Sequence, residues 1–229
     1  MFRKNIGYIS AACFLLLSST NTSAEGLLNN SYIGFSGGFA SMSDADVSIT
    51  DGVDTIGLAN ILEYDSGYTF AAFAGTSVHD NVRIQADLGY ISSDFSGFSV
   101  PLPIEVTSGG LSGFYATGSV FFEAHLSEAL TPYLGVGGGF FAPNVSDISV
   151  SDGGSTLDVP LKAADSVVPL IKLSAGTAYR ISENLSVTAD YSFLQSADFD
   201  IEIDPDPRAP TLVSDLTAHT FGVGLRYHF

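Results

Sequence analysis

Eight ionisable residues of this sequence fall on the polar faces of alternating segments, where they could meet inside one fold. They are Arg83, Asp87, Glu123, His125, Lys172, Arg180, Asp190 and Arg226. Charged groups that are buried persist when they are paired. The pattern therefore predicts a network of ion pairs that fills an interior. The alternative interpretation is a gate or an ion pathway.

Acidic residues concentrate in two segments between the alternating ones. The first contains Asp44, Asp46, Asp51, Asp54, Glu63 and Asp65, and the second Asp198, Asp200, Glu202, Asp204, Asp206 and Asp215. Such clusters can bind divalent cations, and residues 200–206 are the best local candidate, but their spacing does not match an EF-hand loop. The other histidines, His79, His219 and His228, have no metal-ligand spacing. We assign no metal site and no cofactor.

The composition excludes some classes of function. The formal net charge is −17, which argues against nucleic-acid binding. Yet 45% of the residues are hydrophobic, with 24 Gly, 17 Phe and 10 Tyr. This combination is unusual for a soluble domain and fits strands that face lipid, joined by acidic loops.

The amino terminus has the pattern of a signal peptide. Arg3 and Lys4 precede an apolar run over residues 9–17, and Thr22-Ser23-Ala24 forms a small-residue cleavage site. The run is too short for a membrane-spanning helix, which needs about 20 apolar residues. We expect a signal peptide over 1–24 and one domain over 25–229. Cys13, the only cysteine, would be removed, which excludes disulfides and cysteine chemistry.

The rest of the chain repeats a strand of period two followed by a polar, Gly-rich segment. In residues 82–90, for example, Val82, Ile84, Ala86, Leu88 and Tyr90 oppose Arg83, Gln85, Asp87 and Gly89. The same rule predicts eight strands near 31–40, 66–77, 82–91, 113–126, 130–141, 166–181, 185–194 and 217–229. The facing of the second strand is ambiguous, because its alternation is the weakest.

The connections between these strands alternate in length. Short turns lie at 79–81, 127–129 and 182–184, and long connections near 41–65, 92–112, 142–165 and 195–216. Transmembrane barrels have short periplasmic turns and longer external loops. Eight strands place both termini in the periplasm. The sequence therefore predicts an all-β fold, an eight-stranded antiparallel transmembrane β-barrel.

The facing of the strands separates this barrel from a soluble one. In a soluble barrel the apolar side chains point inward. Here the faces opposite the apolar ones are rich in Gly and Ser, which suit a tight lumen and would bury little apolar area as a core. Glycines expected inside are Gly34, Gly38, Gly135, Gly137, Gly139, Gly176, Gly222 and Gly224. We predict that large apolar side chains face lipid.

The last strand and three glycine-rich segments carry a family resemblance. The chain ends on Phe229 with Phe221, Val223, Leu225 and Tyr227 at every second position before it. With the segments at 32–39, 131–137 and 175–180, this resembles the OmpA-like or opacity-type outer-membrane β-barrels, including alphaproteobacterial surface antigens. The resemblance implies export to the bacterial outer membrane and recognition of the last strand by the barrel-assembly machinery. The chain departs from this family in two respects. It has no Trp, so any aromatic girdle must use Tyr and Phe, and we expect no carboxy-terminal peptidoglycan-binding domain.

Three functions fit such a barrel. We expect a structural envelope or surface protein whose partners include outer-membrane lipid and lipopolysaccharide, with divalent cations as candidate ligands of the acidic loops. The second is a narrow porin for small solutes. The third is a lipid-modifying hydrolase, since His125-Leu126-Ser127 is similar to the His-x-Ser of outer-membrane lipid A deacylases. That family continues with Asn-Ala, whereas this chain continues with Glu128-Ala129, so we assign no catalytic residue and expect no enzyme.

Overall fold

The computed structural model describes residues 30–43, 45–50, 55–98, 105–151, 156–164, 167–203 and 211–229. The predicted signal peptide, with Cys13, lies outside these residues. Among the residues described, no helix is long and apolar enough to cross a membrane. The strands in this part of the chain are β1 (Ser31–Met42), β2 (Ala45–Thr50), β3 (Thr55–Tyr64), β4 (Ser66–His79), β5 (Val82–Phe98), β6 (Glu105–Ser108), β7 (Gly110–Glu123), β8 (Leu130–Val145), β9 (Ile148–Ser151), β10 (Thr156–Val159), β11 (Leu161–Ala163), β12 (Val168–Arg180), β13 (Leu185–Ser196), β14 (Phe199–Ile203), β15 (Thr211–Ser214) and β16 (Thr217–His228).

Eight long strands form a closed antiparallel barrel in the order β1-β4-β5-β7-β8-β12-β13-β16. The barrel closes where β1 pairs with β16, from Tyr32 opposite His228 to Met42 opposite Ala218. Closure leaves no free edge, so every backbone group at this level can bond to a neighbouring strand. These are the eight strands that the alternation predicts, and the fold class is confirmed.

The two ends of the barrel differ as the connection lengths predict. We call the end with the short connections, at 80–81, 124–129 and 181–184, the turn end, and the opposite end the loop end. At the loop end the chain is not irregular throughout. Strands β2, β3, β11, β14 and β15 extend the barrel sheet from β5, and β6, β9 and β10 form a separate three-stranded sheet.

The outer surface is an apolar band bordered by aromatic rings. Leu88 on β5, Phe140 on β8 and Val223 on β16 are all more than half exposed. Toward the loop end, Tyr90 packs against Phe114 with ring centroids 5.0 Å apart. Tyr and Phe thus supply the girdle in the absence of Trp. The structure also fixes the facing of β4, whose Thr69 and Phe73 are buried while Tyr68 and Phe70 are exposed.

The inner surface places aromatic rings over glycines on neighbouring strands. A Cβ atom on any of these glycines would collide with the ring. The ring therefore occupies the space that a side chain at the glycine would need. This packing explains how a narrow barrel holds several inward aromatic residues. The pairs are Gly34 with Phe73, Gly75 with Tyr32, Gly89 with Tyr115, Gly135 with Phe121 and Gly176 with Tyr133.

Gly135 offers a test of this packing. A methyl group there would clash with the ring of Phe121, which is held on its other side by the guanidinium of Arg83 at 3.7 Å. We expect Gly135→Ala to lower the free energy of unfolding by about 1–3 kcal/mol, the usual cost of overpacking. The control is Gly118→Ala on the outer face, where a Cβ meets nothing within 4 Å. Urea unfolding in lipid vesicles measures both, and equal stability of the two variants would contradict the packing.

The loop end of the lumen contains an apolar cluster, which the sequence analysis did not predict. From the sequence we predicted small and ionic side chains throughout the lumen. Instead, inward residues from seven barrel strands meet four residues from the connections, Leu161, Phe199, Ile201 and Leu216. The barrel contributes Ala40, Met42, Ile91, Phe95, Leu111, Tyr115, Phe141, Val145, Val168, Leu170, Leu194 and Ala218. The strand alternation continues beyond the lipid-facing band toward the loop end. There the inward side chains are apolar, because they pack against apolar residues of the connections that cover the lumen.

Candidate functional site

The half of the lumen nearer the turn end, which we call the lower half, is organised around Arg83. Arg83 is only 1% exposed. Its Nε atom lies 2.6 Å from Oε1 of Glu123 on the neighbouring strand. Its Nη1 group donates to the hydroxyl of Tyr32 at 2.6 Å and to the side-chain oxygen of Gln85. Charge-assisted hydrogen bonds of this kind are stronger than neutral ones. Arg83 therefore ties three strands together across the lumen.

A second guanidinium, that of Arg226, approaches the same carboxylate. Its Nη1 atom is 3.6 Å from Oε1 of Glu123, beyond hydrogen-bond distance. The two arginines share the faces of two tyrosines: Cζ of Arg226 lies 4.7 Å from the ring centroid of Tyr32, and Cζ of Arg83 lies 4.8 Å from that of Tyr133. Aromatic faces attract cations, so the rings offset part of the repulsion between the two guanidiniums.

A separate ion pair joins Lys172 to Asp87. The Lys172 Nζ atom is 3.3 Å from Oδ1 of Asp87, which also accepts a hydrogen bond from Nε2 of Gln85 at 2.8 Å. Thr117 donates to Oδ2 at 3.3 Å. Because Gln85 also accepts from Arg83, its amide links the two ion clusters. Together they form one network across β1, β5, β7, β12 and β16.

Asp190 is satisfied by uncharged donors. The hydroxyl of Tyr133 donates to Oδ1, and Thr188 donates to Oδ2 at 2.9 Å. Six of the predicted charges thus lie inside the lumen, three cationic and three anionic. They are Arg83, Asp87, Glu123, Lys172, Asp190 and Arg226.

The remaining space beside the network is small. An internal cavity of about 50 Å³ is lined by polar side chains including Lys172, Asp87 and Asp190. A water molecule needs roughly 10–15 Å³ of such volume, so the cavity has room for a few waters and no larger solute. The apolar cluster lies on its loop-end side.

Two predicted members of the network, His125 and Arg180, lie elsewhere, and that part of the prediction is wrong. Both are exposed at the turn end. His125 lies two residues beyond Glu123, the last residue of β7, so strand alternation no longer governs its direction. Its Nε2 atom is 2.8 Å from the carbonyl oxygen of Asp80. Arg180 is the final residue of β12 and faces the mouth of the barrel.

The triplet considered for hydrolase chemistry is part of a turn. The Ser127 hydroxyl accepts hydrogen bonds from the backbone N–H groups of Leu130, at 3.1 Å, and Ala129, at 3.3 Å. Nδ1 of His125 lies 3.4 Å from the hydroxyl of Thr131. Each of these contacts orders the connection between β7 and β8.

Three further residues of the network, Tyr32, Gln85 and Tyr133, were not predicted as members from the sequence. All three are uncharged at neutral pH, and a search for charged groups passes over them. The available signal was position, because Tyr32 shares the inward parity of Gly34, and Tyr133 that of Gly135. An inward Tyr at the level of an inward Arg is a candidate donor to the same network.

The described acidic residues provide no group of three or more His, Cys, Asp or Glu side chains that could hold a metal ion. Asp44, Asp51, Asp54, Asp204 and Asp206 lie outside the described residues, so part of the predicted candidate at 200–206 does as well. Asp198 and Glu202 are exposed. Cation binding at the acidic loops stays a prediction.

The last strand presents its apolar set outward. Phe221, Val223, Leu225, Tyr227 and Phe229 are all exposed on the outer surface. The backbone N–H of Phe229 donates to the carbonyl oxygen of Ser31 at 3.0 Å, so pairing with β1 continues to the final residue. Recognition of this strand by the assembly machinery stays a prediction.

The closed barrel, its lipid-facing band and its filled lumen define an integral membrane β-barrel. The chain belongs to the outer membrane protein β-barrel family, whose domain model matches residues 9–229. This confirms the predicted family resemblance and supports location in the bacterial outer membrane. A comparison with curated protein sequences found no match.

Several solved outer-membrane barrels have a similar fold. The outer membrane protein OprG from Pseudomonas aeruginosa has 15% identity and a TM-score of 0.54, over 89% of this chain and 98% of OprG. AlkL, solved in DMPC lipid bilayers, has 17% identity and a TM-score of 0.51, over 89% of this chain and 92% of AlkL. Neisserial surface protein A has 14% identity and a TM-score of 0.47, over 87% and 97% of the two chains. At these identities the likeness to OprG and AlkL concerns the fold alone.

Proposed function

We propose that this protein is a structural envelope or surface protein of the outer membrane whose lumen is closed. The observation that carries the proposal is that the lumen is filled at two levels. The ion network around Arg83 occupies the lower half, and the apolar cluster around Phe141 and Phe199 occupies the loop end. Small barrels have interiors only wide enough for side chains. A solute would have to displace both layers.

The runner-up function, a narrow porin, makes the opposite prediction in a planar bilayer. We expect the purified barrel to give no stable single-channel steps, because the cavity between the layers is only about 50 Å³. A variant with both Glu123→Ala and Arg226→Ala removes part of the lower layer and leaves the apolar cluster. It should also remain closed. Reproducible steps of one size from the unmodified protein would establish the porin instead.

The loop end supports a role at the cell surface. Five strands extend the barrel sheet beyond the band, so partners would meet an ordered β-structure with exposed acidic residues such as Asp94, Asp158 and Glu202. Its negative charge would repel anionic surfaces, and contact with lipopolysaccharide would require bridging divalent ions. Lipopolysaccharide as a partner stays a prediction.

We further propose that the protein is not an enzyme. The hydrolase hypothesis depended on His125 and Ser127, and both are engaged in ordering the β7–β8 connection. The network residues form ion pairs and hydrogen bonds with one another beside a cavity too small for a lipid substrate.

A further inference from the structure

Three residues of the same strand parity lie in one row across neighbouring strands at the turn end; Ser186 and Arg226 are buried, whereas Arg180 is exposed at the mouth. Arg180 on β12 is opposite Ser186 on β13, and Ser186 is opposite Arg226 on β16. Neighbouring strands are about 4.8 Å apart, so the two arginine Cα atoms are separated by roughly 10 Å. The Arg226 side chain extends from this row toward Tyr32 and Glu123. All three residues of the row line the same cleft.

Arg226 has hydrogen-bonding capacity that the described residues do not use. The residue is 4% exposed, and its Nε–H has no hydrogen-bond partner among them. Its contact with Glu123, at 3.6 Å, is weaker than the 2.6 Å contact that Glu123 makes with Arg83. Two guanidiniums thus share one carboxylate. A buried donor without a partner is costly and calls for an explanation.

Arg226 lines a cleft at the mouth of the barrel as well as the internal cavity. The cleft has a volume of about 290 Å³ and is lined by Arg226, Ser186 and Arg180, together with His125 and His228. Ser186 Oγ is 3.4 Å from Nε2 of His228. Two carboxylates also line the cleft: Glu123, which is held by Arg83, and Glu183, which is exposed in a turn.

We propose that this cleft is a binding site for a phosphate group, held by Arg226, Ser186 and Arg180. Guanidinium groups are suited to phosphate because their N–H donors match its oxygens in pairs. Donors on three neighbouring strands line the cleft, and a tetrahedral phosphate has enough oxygens to meet all three. The site opens at the turn end, so its ligand comes from the periplasmic side, as a phospholipid headgroup or as free phosphate. It is independent of whether the lumen conducts.

The test observes Arg226 directly. The full barrel, labelled with ¹⁵N-arginine, is refolded in maltoside micelles, which contain no phosphate, and the Nε–Hε resonances are followed by NMR. Inorganic phosphate is added in one arm and a short-chain phosphatidylglycerol in the other. We expect the Arg226 resonance to move and saturate in at least one arm. A response to the lipid at low concentration identifies the headgroup, and a response to inorganic phosphate alone identifies the free ion.

Two matched variants distinguish specific binding in the cleft from general electrostatic attraction to the protein. Arg180 is exposed, so Arg180→Gln should fold, and it should weaken binding about tenfold through the loss of charge-assisted hydrogen bonds. Lys162→Gln removes the same charge from an exposed position at the loop end and should leave binding unchanged. The proposal is overturned if neither compound moves the Arg226 resonance. Equal weakening by both variants also overturns it.

Discussion

Glu123→Gln should lower the free energy of unfolding of the barrel by about 3–5 kcal/mol, the usual cost of removing one partner from a buried ion pair. Glu123 is the only carboxylate within 4.0 Å of Arg83 or Arg226 among the residues described, and its side chain is 10% exposed. The amide of Gln retains the shape and one acceptor, but it leaves two buried guanidiniums without a counter-charge. Urea unfolding in lipid vesicles measures the loss, and a lower temperature for the heat-induced gel shift should accompany it.

The control for this variant is Glu128→Gln. Glu128 is exposed in the connection between β7 and β8, so the same chemical change should alter stability by less than about 0.5 kcal/mol. A double variant, Glu123→Gln with Arg226→Met, removes one of the two unpaired cations. It should recover part of the loss, and the cycle then measures how strongly the two residues are coupled. If Glu123→Gln alone costs less than 1 kcal/mol, the network does not stabilise the barrel.

The second large effect is expected on the lipid-facing surface. Leu88 is 61% exposed and lies inside the apolar band of β5, between Ala86 and the aromatic ring of Tyr90. Leu88→Arg places a guanidinium in the hydrocarbon, at a cost of about 2–4 kcal/mol near the midplane. The expected result is a lower free energy of unfolding from vesicles, because the unfolded chain returns the charge to water.

Ser92→Arg is the matched control for Leu88→Arg. Ser92 lies four residues further along the same strand, with the same outward parity, and beyond Tyr90. At an interface the cost of Arg falls to about 0–1 kcal/mol. A clear difference between the two variants places the membrane boundary near Tyr90. Equal costs would mean that Leu88 does not face hydrocarbon, and the assignment of inner and outer faces would then be wrong.

The positions of the barrel strands follow from local sequence. A strand has a side-chain period of two, so Ile84, Leu88 and Tyr90 must share one face and Arg83 and Asp87 the other, whatever the neighbouring strands are. The predicted and observed strands agree closely, as in 82–91 for β5 (Val82–Phe98) and 185–194 for β13 (Leu185–Ser196). The largest difference is at the loop end, where β5 continues beyond the apolar band to Phe98. At the turn end β7 ends at Glu123, three residues before the predicted end at 126.

The short strands and the buried residues within the long connections could not be predicted from the sequence in the same way. Strands such as β14 (Phe199–Ile203) are short, and a few residues of alternation resemble many irregular segments. Phe199 and Ile201 acquire their role from packing against Phe141 and other inward residues that are distant in the chain. The apolar cluster was therefore not predicted.

By itself the sequence determined the number of barrel strands, their order along the chain and, except on β4, which faces point inward, because these depend on period and connection length. It did not determine which inward charges meet. Arg83 pairs with Glu123, Lys172 with Asp87, and Asp190 with Tyr133, through the stagger of strands around the closed barrel. That stagger is a property of the whole ring of eight strands. Only the tertiary structure could decide it, and with it the free donor of Arg226 at the mouth.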